Sequence, residues 1–198
     1  MKHRASTRTT TRRTLGLLVI TAAVAGIVHQ TSVFSVGEVL RGDHRLTTAE
    51  KGGSLPGQVT VFDDQYPGVA NLEPELLKAL RQAATDAADD GVRFYVNSGW
   101  RSPEYQRKLL RDAVAKYGSE KEAARWVATP ETSPHVSGNA VDIGRSDATA
   151  WLSENGARYG LCQIYANEPW HYELRPQAIT DGCPPMYPDP SHDPRMRR

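Results

Sequence analysis

Two short stretches of the chain hold residues of the kinds that bind metal and move protons. Ser133-Pro134-His135-Val136-Ser137-Gly138-Asn139-Ala140-Val141-Asp142 contains an imidazole and a carboxylate, and Glu168-Pro169-Trp170-His171 contains a carboxylate and a second imidazole. A catalytic zinc takes three protein ligands from His, Asp, Glu and Cys and keeps a fourth position for water. His135, Asp142 and His171 fit that count, which leaves Glu168 as a base for the water. Gly138 and Ala140 let the chain turn tightly between two ligands, and Val141-Asp142-Ile143 reads as a short buried strand that carries Asp142 inward. A single histidine is more often a satisfied surface or core residue than a ligand. The case rests on four such residues at these spacings. The chain has no His-Glu-x-x-His segment, which excludes the helical zinc-protease motif.

The pattern Ser-x-His-x-x-Gly-x-Ala-x-Asp followed by Glu-x-Trp-His resembles the zinc D-Ala-D-Ala metallopeptidases of the VanY and VanX type, relatives of lysostaphin-like enzymes and of the hedgehog signalling domain. A third motif agrees: Ser98-Gly99-Trp100-Arg101-Ser102, with Gln106 four residues on, is similar to the family's Ser-Gly-Tyr-Arg-Ser…Gln. The resemblance covers roughly Gly68 to Leu174. It implies one zinc per chain on His135, Asp142 and His171, with Glu168 as the catalytic base. It also implies Arg101 at the carbonyl oxygen, Ser133 in contact with substrate, Gln106 near it, and D-Ala-D-Ala as the substrate. The chain departs from the family at Tyr159-Gly160-Leu161-Cys162, where a Gly-Phe-rich stretch is common, and this bears on the shape of the specificity pocket.

The surroundings of these motifs suit an exported enzyme. A chain of 198 residues can bury a core as one domain, and 39% hydrophobic with 24% charged residues is ordinary for a globular protein. Lys2, Arg4, Arg8, Arg12 and Arg13 precede the first acidic residue, Glu38, and an apolar run from Leu15 to Val28 follows them. Residues 1–30 therefore read as a signal peptide with an Ala23-Val24-Ala25 cleavage site, or as an uncleaved signal anchor. Losing those five cations would take the net charge from +1 to −4, which does not suit a nucleic-acid binder. The expected location is outside the membrane, facing the cell wall, with membrane contact only through the N-terminal segment. The expected partner is a peptidoglycan precursor or muropeptide, and the expected state a monomer. Cys162 and Cys183, the only cysteines, should form one disulfide in that oxidising space and staple the final segment to the strand at Cys162.

The elements that must position the site follow from periodicity and caps. Residues 31–67 read as a linker and N-terminal segment, with organised structure starting at Asn71. Leu76, Leu80, Ala83, Ala84 and Ala87 recur at helical spacing up to Gly91. The strand Val92–Val96 then delivers Ser98 to Arg101 at its carboxyl end. Ser102-Pro103 caps a second helix ending at Gly118, and Ser119-x-x-Glu122 caps a third that carries Ala123, Trp126 and Val127 on one face. Asp147 caps a helix to about Tyr159. Leu161–Tyr165 and Trp170–Leu174 read as paired strands. Trp100, Trp126 and Trp151 are expected as core anchors, and Trp170 both packs beneath His171 and walls the cleft. Arg125 is expected on an exposed face, and residues 184–198 as a disordered tail. The sum is an α+β fold, with a small antiparallel sheet carrying the zinc site and helices flanking it, as one peptidase domain over 68–183.

The function expected from all this is zinc-dependent D,D-carboxypeptidase action on stems ending in D-Ala-D-Ala, with glycopeptide resistance as a consequence. The alternatives are a D-Ala-D-Ala dipeptidase or other peptidoglycan endopeptidase and, from another class, a non-catalytic zinc-containing wall-binding module.

Overall fold

The computed structural model describes residues 45–197, so the leader expected at 1–30 lies outside the described residues. In chain order the elements are α1 (Thr48–Lys51), α2 (Pro67–Ala70), α3 (Pro74–Asp89), β1 (Tyr95–Ser98), α4 (Pro103–Tyr117), α5 (Glu120–Ala123), β2 (Ala140–Gly144), α6 (Ser146–Asn155), β3 (Leu161–Gln163), β4 (His171–Leu174) and α7 (Ala178–Asp181). The strands form one antiparallel sheet in the order β1-β2-β4-β3. Among the described residues no helix is long and apolar enough to cross a membrane.

Alternation along the strands divides the sheet into two faces. Val96, Val141, Ile143 and Tyr172 point to one side, into the main core with Leu76, Leu80, Ala83 and Ala87 of α3 and Trp151 and Leu152 of α6. Ser98, Asp142 and His171 point to the other. They stand directly opposite one another across three adjacent strands, because Ser98 pairs with Asp142 and Asp142 with His171. The face that carries hydrophobic side chains is held by burial, so the polar set on the opposite face is held in register with it.

The helices obey their sequence signals at the ends that matter. Pro74 opens α3 beside Glu73, whose carboxylate accepts the Glu75 N–H. Ser102 caps α4 by accepting the Tyr105 N–H, and Gly118 ends it in the left-handed region at φ 83°. Three expectations need correction. First, among the described residues organised structure is already present at Thr48, well before Asn71. Thr47 and Glu50 form a reciprocal capping box that starts α1. Second, α5 is a single turn, and Trp126 and Val127 lie beyond it; the Glu122 carboxylate pairs with Arg125. Third, α6 starts one residue before Asp147, after Arg145 at φ 72°, and passes into a 3-10 turn over Gly156–Tyr159. Asp147 sits in its first turn and accepts the Ala148 N–H.

The largest correction is at the carboxyl end. The segment from Pro184, expected without fixed structure, is ordered up to Arg197. Cys162 and Cys183 are bonded with their Cα atoms 5.6 Å apart. Beyond them Tyr187 pairs with Tyr165 in a parallel bridge, and 3-10 turns follow over Pro190–His192 and Pro194–Arg197. Asp189 and Asp193 are buried, at 2% and 0% exposure. A composition poor in apolar residues suggested that this stretch could not offset its ordering entropy. It is held by ion pairs instead, Asp189 with Arg125 and Asp193 with Arg195, and by a hydrogen bond between Asp189 and His192.

Candidate active site

The turn that carries Arg101 is pinned from three sides. The Trp100 N–H donates to Gly68 O at 2.8 Å, the Arg101 N–H to His135 O at 3.1 Å, and the Ser102 N–H to Gly52 O at 2.9 Å. The second of these bonds ties it to the histidine segment. The chains pass so closely that a Cβ on Gly99 would lie 2.0 Å from Gly68 O, so only glycine fits there. Gly138 takes φ 76° in the turn between His135 and β2, and its carbonyl accepts the Glu73 N–H at the start of α3. The segment read as a linker is thus part of the support for the Arg101 turn.

His135, Asp142 and His171 converge. All three are buried, and each offers a ligand atom within 4.8 Å of the others, which makes them a candidate metal site. The nitrogens can be told apart by their partners. His135 Nδ1 lies 2.8 Å from Gly99 O, so it donates there and leaves Nε2 free of hydrogen. That Nε2 is 3.3 Å from His171 Nδ1 and 3.4 Å from Asp142 Oδ1. His171 Nδ1 is 3.2 Å from the same carboxylate oxygen, while its Nε2 faces Glu173 Oε1 at 3.3 Å. Two imidazole nitrogens and a carboxylate oxygen facing one point are a donor set that fits zinc. Glu168 is 6% exposed and stands at the edge of this group, its Oε2 3.7 Å from His171 Nδ1.

The electrostatics follow from burial and crowding. Burial opposes ionisation of Asp142, yet His135, His171 and Arg101 hold its carboxyl well below the usual carboxylate range. Burial and the Arg101 cation push His135 down. Burial also opposes charge on His171, but hydrogen bonds to Asp142 and Glu173 outweigh it and raise the pKa to about 9. Burial pushes Glu168 up to about 7, with Asp142 adding to the rise and His171 and Arg101 opposing it. A carboxylate with that affinity for a proton can both take one and give one back near neutral pH.

These groups line a cavity of 270 Å³ together with Arg101, Gln106, Ser133 and Trp170. The Arg101 guanidinium donates from Nε to Ser98 Oγ (2.7 Å), from Nη1 to Gln106 Oε1 (3.1 Å) and from Nη2 to Asp142 Oδ2 (2.9 Å). Gln106 is 1% exposed and is itself fixed by donating to Ala128 O. Ser133 Oγ is buried and has no hydrogen-bond partner among the described residues. Trp170 is 38% exposed and forms part of the rim. Trp126, expected in the core, stacks on Tyr117 and lines the cavity.

Several neighbours of the site have no role assigned from sequence. Glu173 was legible in principle, since it lies two positions from His171 on β4 and must share its face. Ser98 has the same signal through its place in the strand. Tyr165, Pro190 and Met196 also line the cavity, and the last two come from the C-terminal segment. Nothing local in Pro190 or Met196 marks them, because their position depends on how that segment folds back.

Comparison with known proteins agrees with this geometry. The VanY family model, described as D-alanyl-D-alanine carboxypeptidase, matches residues 69–177, more than half of the 198-residue chain. The chain belongs to the VanY family. A D-alanyl-D-alanine carboxypeptidase of Enterococcus faecalis (strain ATCC 700802 / V583) is 30% identical over 152 residues, covering 64% of this chain and 57% of that protein. YodJ of Bacillus subtilis (strain 168) is 27% identical over 159 residues, covering 64% and 58%. The chain thus spans somewhat over half the length of these two relatives. Among solved structures, VanYB in complex with D-alanine-D-alanine is 30% identical with a TM-score of 0.51, covering 56% of this chain and 74% of that one.

Proposed function

We propose that this chain is a zinc-dependent D,D-carboxypeptidase that removes the terminal D-Ala from peptidoglycan stems ending in D-Ala-D-Ala. The observation that carries the reading is the division of labour in one buried cleft. Three residues converge where a metal ion could be held, and a fourth, Glu168, stands beside them with its carboxyl raised to about 7 by burial. A module that only bound wall material would need neither Glu168 nor the fixed cation Arg101.

His135 Nε2, Asp142 Oδ1 and His171 Nδ1 would hold the zinc, which supplies a Lewis acid that acidifies water and polarises a carbonyl. Glu168 takes the proton of the attacking water on its carboxylate and passes it to the leaving amine of D-Ala. Arg101 spends three of its five N–H donors on Ser98, Gln106 and Asp142, which leaves two for the oxygen that gains charge in the tetrahedral state. Because those three bonds fix the guanidinium beforehand, little reorganisation is needed as the charge develops. Ser133 Oγ, buried and unpartnered, is suited to a polar group of the substrate.

A stem peptide is favoured over the free dipeptide by the lining of the cavity. Among the described residues, the only carboxylates lining it are Asp142 and Glu168. Both have tasks, so no acidic group is left to hold a free α-ammonium. VanYB, which is 30% identical to the chain, forms a complex with D-alanine-D-alanine, which supports that moiety as the recognised end. Export through the basic and apolar leader would place the enzyme among wall precursors, where trimming would remove the target of glycopeptide antibiotics. The test compares kcat/KM for an acylated stem ending in D-Ala-D-Ala with that for the dipeptide at equal zinc loading. A clear preference for the stem is expected, and a preference for the dipeptide would overturn this assignment.

A further inference from the structure

We propose that Glu173 and Arg195 are positioning residues for the metal ligand His171, so that the C-terminal segment is a working part of the active site. The inference rests on the reading of His171 as a ligand through Nδ1. That nitrogen faces His135 Nε2 and Asp142 Oδ1, so it must be bare when it takes a metal, and the ring proton then sits on Nε2. Opposite Nε2, at 3.3 Å, lies Oε1 of Glu173, whose side chain is 1% exposed. A carboxylate on the far nitrogen of a metal-bound imidazole fixes its tautomer, sets the plane of the ring and strengthens it as a donor.

Glu173 is aimed from outside the family-matched region. Arg195 grips it with both ends of the guanidinium, Nη1 donating to Oε2 at 2.7 Å and Nη2 to Oε1 at 3.1 Å, a two-pronged fit that a single ammonium cannot make. Arg175 adds a bond to Oε2 at 2.7 Å. Arg195 is in turn held by Asp193, which takes its Nε at 2.9 Å and its backbone N–H at 2.9 Å. Asp193 is fully buried and also accepts the Tyr165 hydroxyl at 3.0 Å, and the Tyr165 ring lies 4.9 Å from the His171 ring. Two routes from the same aspartate therefore end on one imidazole, one through Arg195 and Glu173 and the other through Tyr165. The family model ends at residue 177, so Asp193 and Arg195 lie beyond it.

The rival account is that Arg195 and Glu173 only fasten the segment. Zinc dissociation constants, measured by competition with a chromophoric chelator on the full chain, distinguish the two, with the visible spectrum of the cobalt-loaded protein reporting ligand geometry. Glu173→Gln should weaken zinc by about 10–100-fold and move the cobalt bands. Arg195→Met should act in the same direction by a smaller factor, Arg195→Lys should recover only part of it, and Arg195→Met should add nothing once Glu173 is Gln. Asp189→Asn, which loosens the segment at Arg125 without touching Glu173, should weaken zinc clearly less than Arg195→Met does. Should Glu173→Gln fail to fold, the Arg195 pair and Asp189→Asn decide, since Arg195→Lys keeps a cation beside the buried Glu173 and Asp193. Unchanged zinc affinity in Arg195→Met, equal Arg195→Met effects with and without Glu173, or a loss in Asp189→Asn equal to that in Arg195→Met would overturn the proposal. Wild-type protein that binds no zinc would overturn the metal reading itself, and this inference with it.

Discussion

Arg101 shows how one side chain can serve structure and chemistry together. Its bond to Asp142 Oδ2 leaves Oδ1 facing the two imidazoles, while its bonds to Ser98 and Gln106 fix the guanidinium plane. Lysine cannot replace three directed donors with one flexible ammonium. Arg101→Lys should therefore keep zinc but lower kcat by about 10²–10³-fold, the loss typical of a missing donor to a developing oxyanion, and steady-state kinetics at full zinc loading check it. His135→Ala should behave differently and lose the metal, because two remaining ligands hold the ion poorly; metal analysis after gel filtration gives the ratio per chain. At this scale much was legible, since His135, Asp142, His171 and Glu168 announce themselves by type and spacing. Glu173 carries only the signal of its two-residue spacing from His171, and an acidic residue on a strand otherwise reads as solvent-facing.

At the scale of elements, the site is a consequence of register. Asp142 and His171 stand opposite each other on β2 and β4 only because Val141 and Tyr172 are drawn to the core on the other face. The turn before β2 fixes where that register begins, and Gly138 is its most constrained residue. At φ 76° a side chain is strained, and a Cβ there would come within 2.6 Å of Asn71 O. Gly138→Ala should cost about 1–3 kcal/mol from backbone strain alone, visible as a lower denaturation midpoint, and should also weaken zinc by displacing His135. Periodicity and caps gave α3 and α4 well, because their apolar stripes and end residues agree. They misjudged α1 and α5. A single helical turn has too few residues for a pattern, so its existence depends on contacts elsewhere, such as the Gly52 carbonyl under Ser102.

The whole molecule adds what no local pattern carries: the C-terminal segment returns across the sheet and reaches the cavity. Its composition pointed to disorder, and only the pairing of Cys162 with Cys183 hinted at a return. That bridge closes a loop with a sequence separation of 21, so replacing both cysteines with alanine should lower stability by about 3 kcal/mol, read from denaturant unfolding under oxidising and reducing conditions. The native protein should also resist alkylation until a reductant is added. The central claim is that one cleft holds a metal and, separately, a base for the water that cleaves a D-Ala-D-Ala bond. D-alanine release from an acylated D-Ala-D-Ala stem by the zinc-loaded Glu168→Ala protein tests it most directly. The account predicts close to one zinc per chain with release about 10²–10⁴-fold slower than wild type. A Glu168→Ala protein that comes back metal-free, or that releases D-alanine at the wild-type rate, would contradict it.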